Sequence, residues 1–225
     1  MLITTRHTDS PQSPYHGISG LTRAIAQGTD IVTVAVRTTK DNVLILADSP
    51  FITHDAIKSR IRHLILKEIQ RRTAGTKQPV VRLSDVLSKL YGSIMLSLEI
   101  GEHTAVEPLL RALQPYTKRK TGWGNLIICS SNPFILRKIR RAAPFAQLCL
   151  IHGRHTPLTF VAWQPSLQLS AVYIHRLSVT DLVVEAAHRL DILVCAYTVD
   201  RPKTMKRLEA ISVDAVVTNH PEKLL

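Results

Sequence analysis

The chain has 225 residues, 45% hydrophobic and 20% charged, which is ordinary for one globular domain with its own core. It has no apolar run of about 18 residues and no basic N-terminal segment leading into one, which argues against a membrane-spanning helix or a signal peptide. A cytoplasmic location is therefore the default expectation. The 29 Lys and Arg exceed the 17 Asp and Glu by 12, so the surface attracts polyanions.

Short apolar runs rich in β-formers alternate with helical patterns along the whole chain. The runs predict strands at Leu2–Arg6, Asp30–Arg37, Asn42–Ala47, Ile94–Ile100, Leu126–Ser130, Gln147–Ile151, Ala171–Ile174, Ile192–Tyr197 and Ala215–Thr218. Apolar residues at helical spacing, bounded by glycine stops or a first-turn proline, predict helices at Ile18–Gln27, Ser84–Tyr91, Thr180–Arg189 and Pro202–Ile211. Cys129, Cys149 and Cys195 each lie in an apolar run and are predicted to be buried thiols.

Strands that alternate with helices indicate a parallel sheet covered by helices. The connection 37–42 is too short for a crossover helix, so the second and third strands are predicted to form an antiparallel hairpin. The eight remaining strands fit a closed TIM-type (β/α)8 barrel that spans residues 1–225 as a single domain. An open doubly wound sheet is the alternative, but no glycine-rich phosphate loop follows the first strand. Residues 49–79 are predicted as an insertion containing a basic amphipathic helix, Ala56–Arg72.

Four short motifs occur in a defined order along the chain: Thr39-Lys40-Asp41-Asn42, Ser130-Ser131-Asn132-Pro133, Tyr197-Thr198-Val199-Asp200 and 213–221, which reads Val-Asp-Ala-Val-Val-Thr-Asn-His-Pro. In their order and spacing they resemble the glycerophosphodiester phosphodiesterase family, and the resemblance covers almost the whole chain. It implies a phospholipase-C-like phosphodiesterase barrel that acts in glycerophospholipid metabolism. It also implies hydrolysis that uses a cation held by carboxylates, two histidines as acid and base, and an arginine and a lysine on the phosphate.

The same resemblance shows departures at the positions that carry this chemistry. The chain has Arg6-His7-Thr8 for His-Arg-Gly, Thr33-Val34-Ala35 for Glu-x-Asp, Ala47-Asp48 for His-Asp, Glu99-Ile100-Gly101 for Glu-x-Lys and Thr218-Asn219 for Thr-Asp. Thr33 and Ala35 thus replace two carboxylate ligands, and Glu99 is left as a residual one. Such a site would bind Mg²⁺ or Ca²⁺ weakly at best, so no cofactor is expected.

Three functions follow from these substitutions. The favoured one is a pseudoenzyme that binds an anionic small molecule or an acidic protein surface through Arg6, Asp48 and Glu99. The second is an active phosphodiesterase with a rearranged site, in which His7 is catalytic and acts with Glu99 and Asp48. The third is a basic scaffold for nucleic acid or an anionic membrane surface. For Arg6 itself, a clamp on phosphate and a structural ion pair with Glu99 or Asp48 remain alternatives.

Overall fold

The computed structural model describes residues 1–6, 17–54, 57–74, 80–153 and 157–224. Its strands are β1 Leu2–Arg6, β2 Ile31–Thr38, β3 Leu44–Leu46, β4 Phe51–His54, β5 Ile57–Arg60, β6 Met95–Ile100, β7 Leu126–Ser130, β8 Gln147–His152, β9 Ala171–His175, β10 Leu193–Tyr197 and β11 Ala215–Thr218. Its α-helices are α1 Gly17–Ala26, α2 Leu66–Thr73, α3 Leu83–Leu90, α4 Val106–Leu113, α5 Pro133–Ala142, α6 Thr159–Leu167, α7 Asp181–His188 and α8 Pro202–Ala210. Each predicted strand is therefore present, with ends that differ by one or two residues.

The sheet closes on itself. Its order is β1-β11-β10-β9-β8-β7-β6-β2-β3, and β1 also pairs with β2, so eight parallel strands form a ring. Strand β3 pairs antiparallel with β2 and lies outside the ring, as the short connection between them requires. The predicted (β/α)8 barrel with one extra hairpin strand is confirmed.

The alternation of side chains along the strands separates two apolar regions. Val32 and Val34 belong to the large cluster between the sheet and the helices, whereas Cys129, Tyr173 and Val217 belong to a second cluster in the barrel interior. All three cysteines are free and buried, as predicted. Burial raises the pKa of the Cys149 and Cys195 thiols, so both stay protonated and pack as small apolar groups.

The insertion differs from its prediction. In place of one helix over 56–72, the chain forms a β4–β5 hairpin, a 3₁₀ turn at Ile61–His63 and then α2, which begins at Leu66. In the hairpin, Lys58 and Arg60 lie over the ring of Phe51, an interaction that a helix would break. Helical spacing of isoleucines in a sequence rich in β-branched residues is compatible with both structures, and packing against Phe51 selects the hairpin.

The start of α2 is set by a contact from a distant part of the chain. The Asp41 carboxylate, in the β2–β3 turn, accepts hydrogen bonds from the Leu66 amide at 3.0 and 3.3 Å and from the Thr39 hydroxyl at 2.6 Å. The Glu68 carboxylate accepts from the Ile65 amide. These carboxylates satisfy amides that the first turn of a helix leaves without intrahelical partners. Asp41 therefore ties the insertion to the barrel hairpin.

Among the helices of the described residues, none is long and apolar enough to cross a membrane.

We expect Asp41→Ala to lower the free energy of unfolding by about 1–2 kcal/mol, because the Leu66 amide and the Thr39 hydroxyl lose their charged acceptor. Urea denaturation followed by circular dichroism measures this change. Glu209→Ala is the matched control, since Glu209 is an exposed carboxylate on α8. Equal stability of the two variants would contradict the role given to Asp41.

Candidate functional site

Three charged side chains meet at the mouth of the barrel, where the parallel strands end. Arg6 is the last residue of β1, Glu99 lies near the end of β6, and Asp48 follows β3. Arg6 Nη1 lies 2.9 Å from Glu99 Oε2, and Arg6 Nε lies 3.5 Å from Asp48 Oδ1. The guanidinium therefore lies within ion-pair distance of both carboxylates, while its side chain remains 35% exposed.

The substituted positions of the second strand lie beside Arg6 and Glu99. Thr33 is paired in register with Arg6, and Ala35 is paired with Glu99. Both are buried, and the Thr33 hydroxyl has no hydrogen-bond partner among the described residues. His7, predicted as a catalytic residue, lies outside the described residues.

A cavity of about 220 Å³ lies at the mouth of the barrel. Its walls include Arg6, Thr33, Glu99, Tyr173, Tyr197 and Asn219. Sequence reasoning had not selected the two tyrosines or Asn219 as site residues. The alternation of side chains toward the barrel axis at the ends of β9 and β10 is the signal that could have identified the tyrosines.

The two tyrosines enter the cavity as neutral phenols. Burial raises the pKa of Tyr173, and burial together with the charge of Glu99 raises that of Tyr197. The Tyr173 hydroxyl donates to Ser97 Oγ at 3.2 Å, and the Tyr197 hydroxyl donates to the His152 carbonyl. Both phenol protons are therefore engaged in hydrogen bonds within the protein.

Asn219 is held by a carboxylate below the rim. Asp200 Oδ1 accepts hydrogen bonds from the backbone amide of Asn219 at 2.9 Å and from the Thr218 hydroxyl at 3.0 Å. These bonds fix the end of β11 and place the Asn219 side chain at the cavity wall.

The mouth offers few donors for a metal ion. Glu99 and Asp48 each lie within ion-pair distance of Arg6, and Asp200 accepts hydrogen bonds from Thr218 and Asn219. Within residues 1–6, 17–54, 57–74, 80–153 and 157–224, no three His, Cys, Asp or Glu side chains are grouped as a metal site requires.

His152 is a buried histidine beside this site, at the end of β8. Its Nδ1 lies 3.0 Å from Thr159 Oγ1, and its Nε2 has no partner in the described part of the chain. Burial lowers the pKa of His152 from 6.5 to about 4. The ring is therefore neutral at pH 7 and packs edge-on against Phe160.

The closed ring of parallel strands, with polar groups gathered where the strands end, defines an (β/α)8 barrel with a mouth site. The model of the glycerophosphoryl diester phosphodiesterase family matches residues 10–223, and the chain belongs to that family. A glycerophosphodiester phosphodiesterase of Caldanaerobacter subterraneus subsp. tengcongensis is 24% identical over 248 residues, which cover 100% of this chain and 96% of the relative.

Solved structures share the fold. An Oleispira antarctica phosphodiesterase, determined with the product sn-glycerol-3-phosphate, has a TM-score of 0.82 and 18% identity, with coverage of 100% of this chain and 95% of that one. A glycerophosphodiester phosphodiesterase of Thermotoga maritima has a TM-score of 0.80 and 18% identity, with coverage of 99% and 96%. The resemblance found in the sequence motifs is thus confirmed at the level of family and fold.

We expect the burial of His152 to make stability depend on pH. Because its pKa is lower in the folded than in the unfolded chain, its contribution is complete above pH 6.5 and is lost as the pH falls to about 4. The loss amounts to about 3 kcal/mol. Unfolding of wild type and His152→Gln between pH 4 and 8 measures it, and the difference between them should shrink as the pH falls. His63→Gln, at an exposed histidine, should keep the wild-type slope. Parallel curves for wild type and His152→Gln would refute the assignment.

Proposed function

We propose that the barrel mouth binds a small phosphate-bearing ligand of the glycerol phosphate class without a metal ion, and that the chain lacks the metal-dependent hydrolysis of its family. The observation that carries this proposal is the position of Arg6, 2.9 Å from Glu99 and 3.5 Å from Asp48. The guanidinium of Arg6 occupies the space beside Glu99 and Asp48 in which a metal ion bound by these carboxylates would have to lie.

The described donors do not fit a hard divalent cation. Mg²⁺ takes about six oxygen ligands and Ca²⁺ about six to eight, and a protein site for either supplies carboxylates that are free to bind the ion. Here Glu99 is paired with Arg6, and the buried neighbours in β2 are the neutral Thr33 and Ala35. The positive charge of Arg6 repels a cation placed beside Glu99. The residues of this site therefore do not support a metal-dependent step.

The same groups suit an anion. A guanidinium has five N–H donors, and the two carboxylates engage only part of them. The side chain of Asn219 lines the same cavity as Arg6. Because Arg6 and Glu99 remain partly exposed, water screens their ion pair, which contributes little to stability. A phosphate can therefore bind Arg6 beside Glu99 or in its place.

The ligand class is suggested by a neighbour of the same fold. The Oleispira antarctica phosphodiesterase was determined with sn-glycerol-3-phosphate. The cavity of this chain presents Arg6 for a phosphate and, in Tyr197 and Asn219, polar side chains for glycerol hydroxyls.

We expect glycerol 3-phosphate and inorganic phosphate to raise the melting temperature at low salt, with or without chelator, and salt to weaken the effect. Charge-assisted hydrogen bonds of about 1.5–3 kcal/mol each predict modest affinity. Arg6→Ala should abolish the shift and Arg6→Lys should retain part of it, because lysine keeps the charge but loses the planar fork. Arg23→Ala, at an exposed arginine of α1, is the control. A shift that persists in Arg6→Ala would disprove binding through Arg6.

We also expect no hydrolysis of glycerophosphodiesters by the purified protein in Mg²⁺ or Ca²⁺. The described residues hold no group of three His, Cys, Asp or Glu side chains for a cation, and Ala47 stands where the resemblance places the second histidine. Release of glycerol phosphate measures turnover, and the Caldanaerobacter relative is the positive control. Turnover that disappears in Glu99→Gln and Asp48→Asn would instead establish the rearranged enzyme, in which His7 acts with these two carboxylates.

A further inference from the structure

Exposed apolar side chains are concentrated on one sector of the barrel. Ten large apolar side chains of the described residues are exposed, and half of them follow three neighbouring strands, β7, β8 and β9. These are Phe134, Leu158, Val161, Leu177 and Leu182. Because these segments leave the carboxyl ends of parallel strands, the five side chains lie at the mouth end of the molecule.

Helix α6 lies in the middle of this sector and carries no charged residue. Phe160 and Leu167 are buried, yet Val161, Ala162 and Pro165 on its outer side are exposed. An outer helix of a barrel ordinarily presents charged residues to water, so a helix that is apolar on both sides has an unpartnered face.

Contacts join this face to both neighbouring helices. The Phe134 ring on α5, 58% exposed, packs edge-on against Trp163 on α6 with 5.5 Å between ring centroids. Val161 on α6 and Leu182 on α7, 64% exposed, line a common groove of about 330 Å³. On α6 the exposed Ala162 and Pro165 lie between Val161 and Trp163, and the hydroxyls of Thr159 and Ser166 are the polar groups on that arc. With Phe134 and Leu182 on the neighbouring helices these side chains form the apolar strip.

A basic surface borders the apolar strip. Helix α5 has four basic residues and no acidic residue. Arg140 donates to backbone carbonyls, including that of Leu167. Arg137, Lys138 and Arg141 are exposed and form no ion pair with any described carboxylate. These three residues, named here the basic face, line a groove of about 560 Å³ together with Phe134, so the two surfaces meet at that ring.

We propose that the apolar strip and the basic face together dock onto an anionic lipid bilayer. Side chains such as Trp, Phe and Leu insert at the boundary between headgroups and acyl chains, while Lys and Arg bind anionic headgroups above it. Neither surface is sufficient alone, because stable peripheral binding requires both apolar insertion and electrostatic attraction. The net charge of +12 adds a favourable long-range field.

The charge distribution favours a bilayer over other partners. A second copy of the chain carries the same net charge of +12, so the long-range field opposes its approach. Nucleic acid would meet Val161, Ala162 and Leu182, which can neither stack on bases nor form hydrogen bonds. The acidic Glu185 lines the groove beside Leu182 but is paired with Arg189.

The apolar strip and the basic face begin at the mouth end of the barrel and extend along its side, because Arg141 lies in the last turn of α5. Phe134 and Leu182 belong to the first turns of α5 and α7, at the same end of the barrel as Arg6. The inference does not depend on what the mouth binds, because it uses none of the mouth residues.

The test is co-sedimentation of the protein with vesicles of phosphatidylcholine alone or with about 30 mol% phosphatidylglycerol. Wild type should bind the anionic vesicles, and salt should weaken binding. Arg137→Ala/Lys138→Ala/Arg141→Ala should lower partitioning about 100-fold, at about fivefold per basic residue. Phe134→Ser/Leu182→Ser should lower it at least about tenfold.

Matched variants remove the same chemistry from the opposite end of the barrel. They are Lys118→Ala/Arg119→Ala/Lys120→Ala for charge and Phe145→Ser/Leu193→Ser for apolar surface, all exposed positions. Both should bind within about threefold of wild type. Because every substituted side chain is exposed, circular dichroism should show all variants folded.

Fluorescence gives an independent readout. In Trp123→Phe the single remaining tryptophan is Trp163, and brominated lipid in anionic vesicles should quench it. The proposal is wrong if anionic vesicles fail to bind wild type at low salt, if the matched charge variant loses as much binding as the basic-face variant, or if Trp163 is not quenched. A dimer in light scattering that Phe134→Ser/Leu182→Ser dissociates would overturn it in favour of a second copy.

Discussion

The guanidinium of Arg6 and the carboxylates of Glu99 and Asp48 hold one another at the point where the barrel closes. Arg6 ends the first strand, which pairs with both the last strand and the second, so its position depends on ring closure. Glu99 belongs to the strand on the other side of β2, and Asp48 follows the hairpin strand outside the ring. Three segments distant in sequence thus supply one charge cluster, whose geometry the parallel register determines.

This cluster determines what the mouth can bind. A site with carboxylates alone would attract a cation strongly, whereas a guanidinium between two carboxylates leaves one net negative charge and several N–H donors. Thr33 and Ala35 add no charge to the layer, and the two tyrosines are kept neutral by burial. The mouth therefore differs from the outer surface, where basic residues such as those of α5 have no described carboxylate nearby to balance them.

Much of the fold could be predicted because the relevant signals are local. Apolar runs separated by helical patterns indicate parallel strands, and a short connection such as 37–42 leaves the chain room only for a hairpin. The insertion was predicted incorrectly for a non-local reason. Isoleucines at helical spacing favour a helix, but the ring of Phe51 and the carboxylate of Asp41 stabilise a hairpin followed by a later helix.

The sequence by itself determined the barrel, its family, the buried thiols and the choice of Arg6, Asp48 and Glu99 as neighbours at the mouth. These follow from residue types at strand ends and from motif order, both of which are read along the chain. Only the tertiary structure decided that Arg6 lies between the two carboxylates, that Tyr173 and Tyr197 line the cavity, and that α6 exposes an apolar face beside the basic face of α5. Strand and helix periods indicate which face is buried. They do not say which side chains meet across the barrel or between helices, because those contacts depend on how distant segments pack.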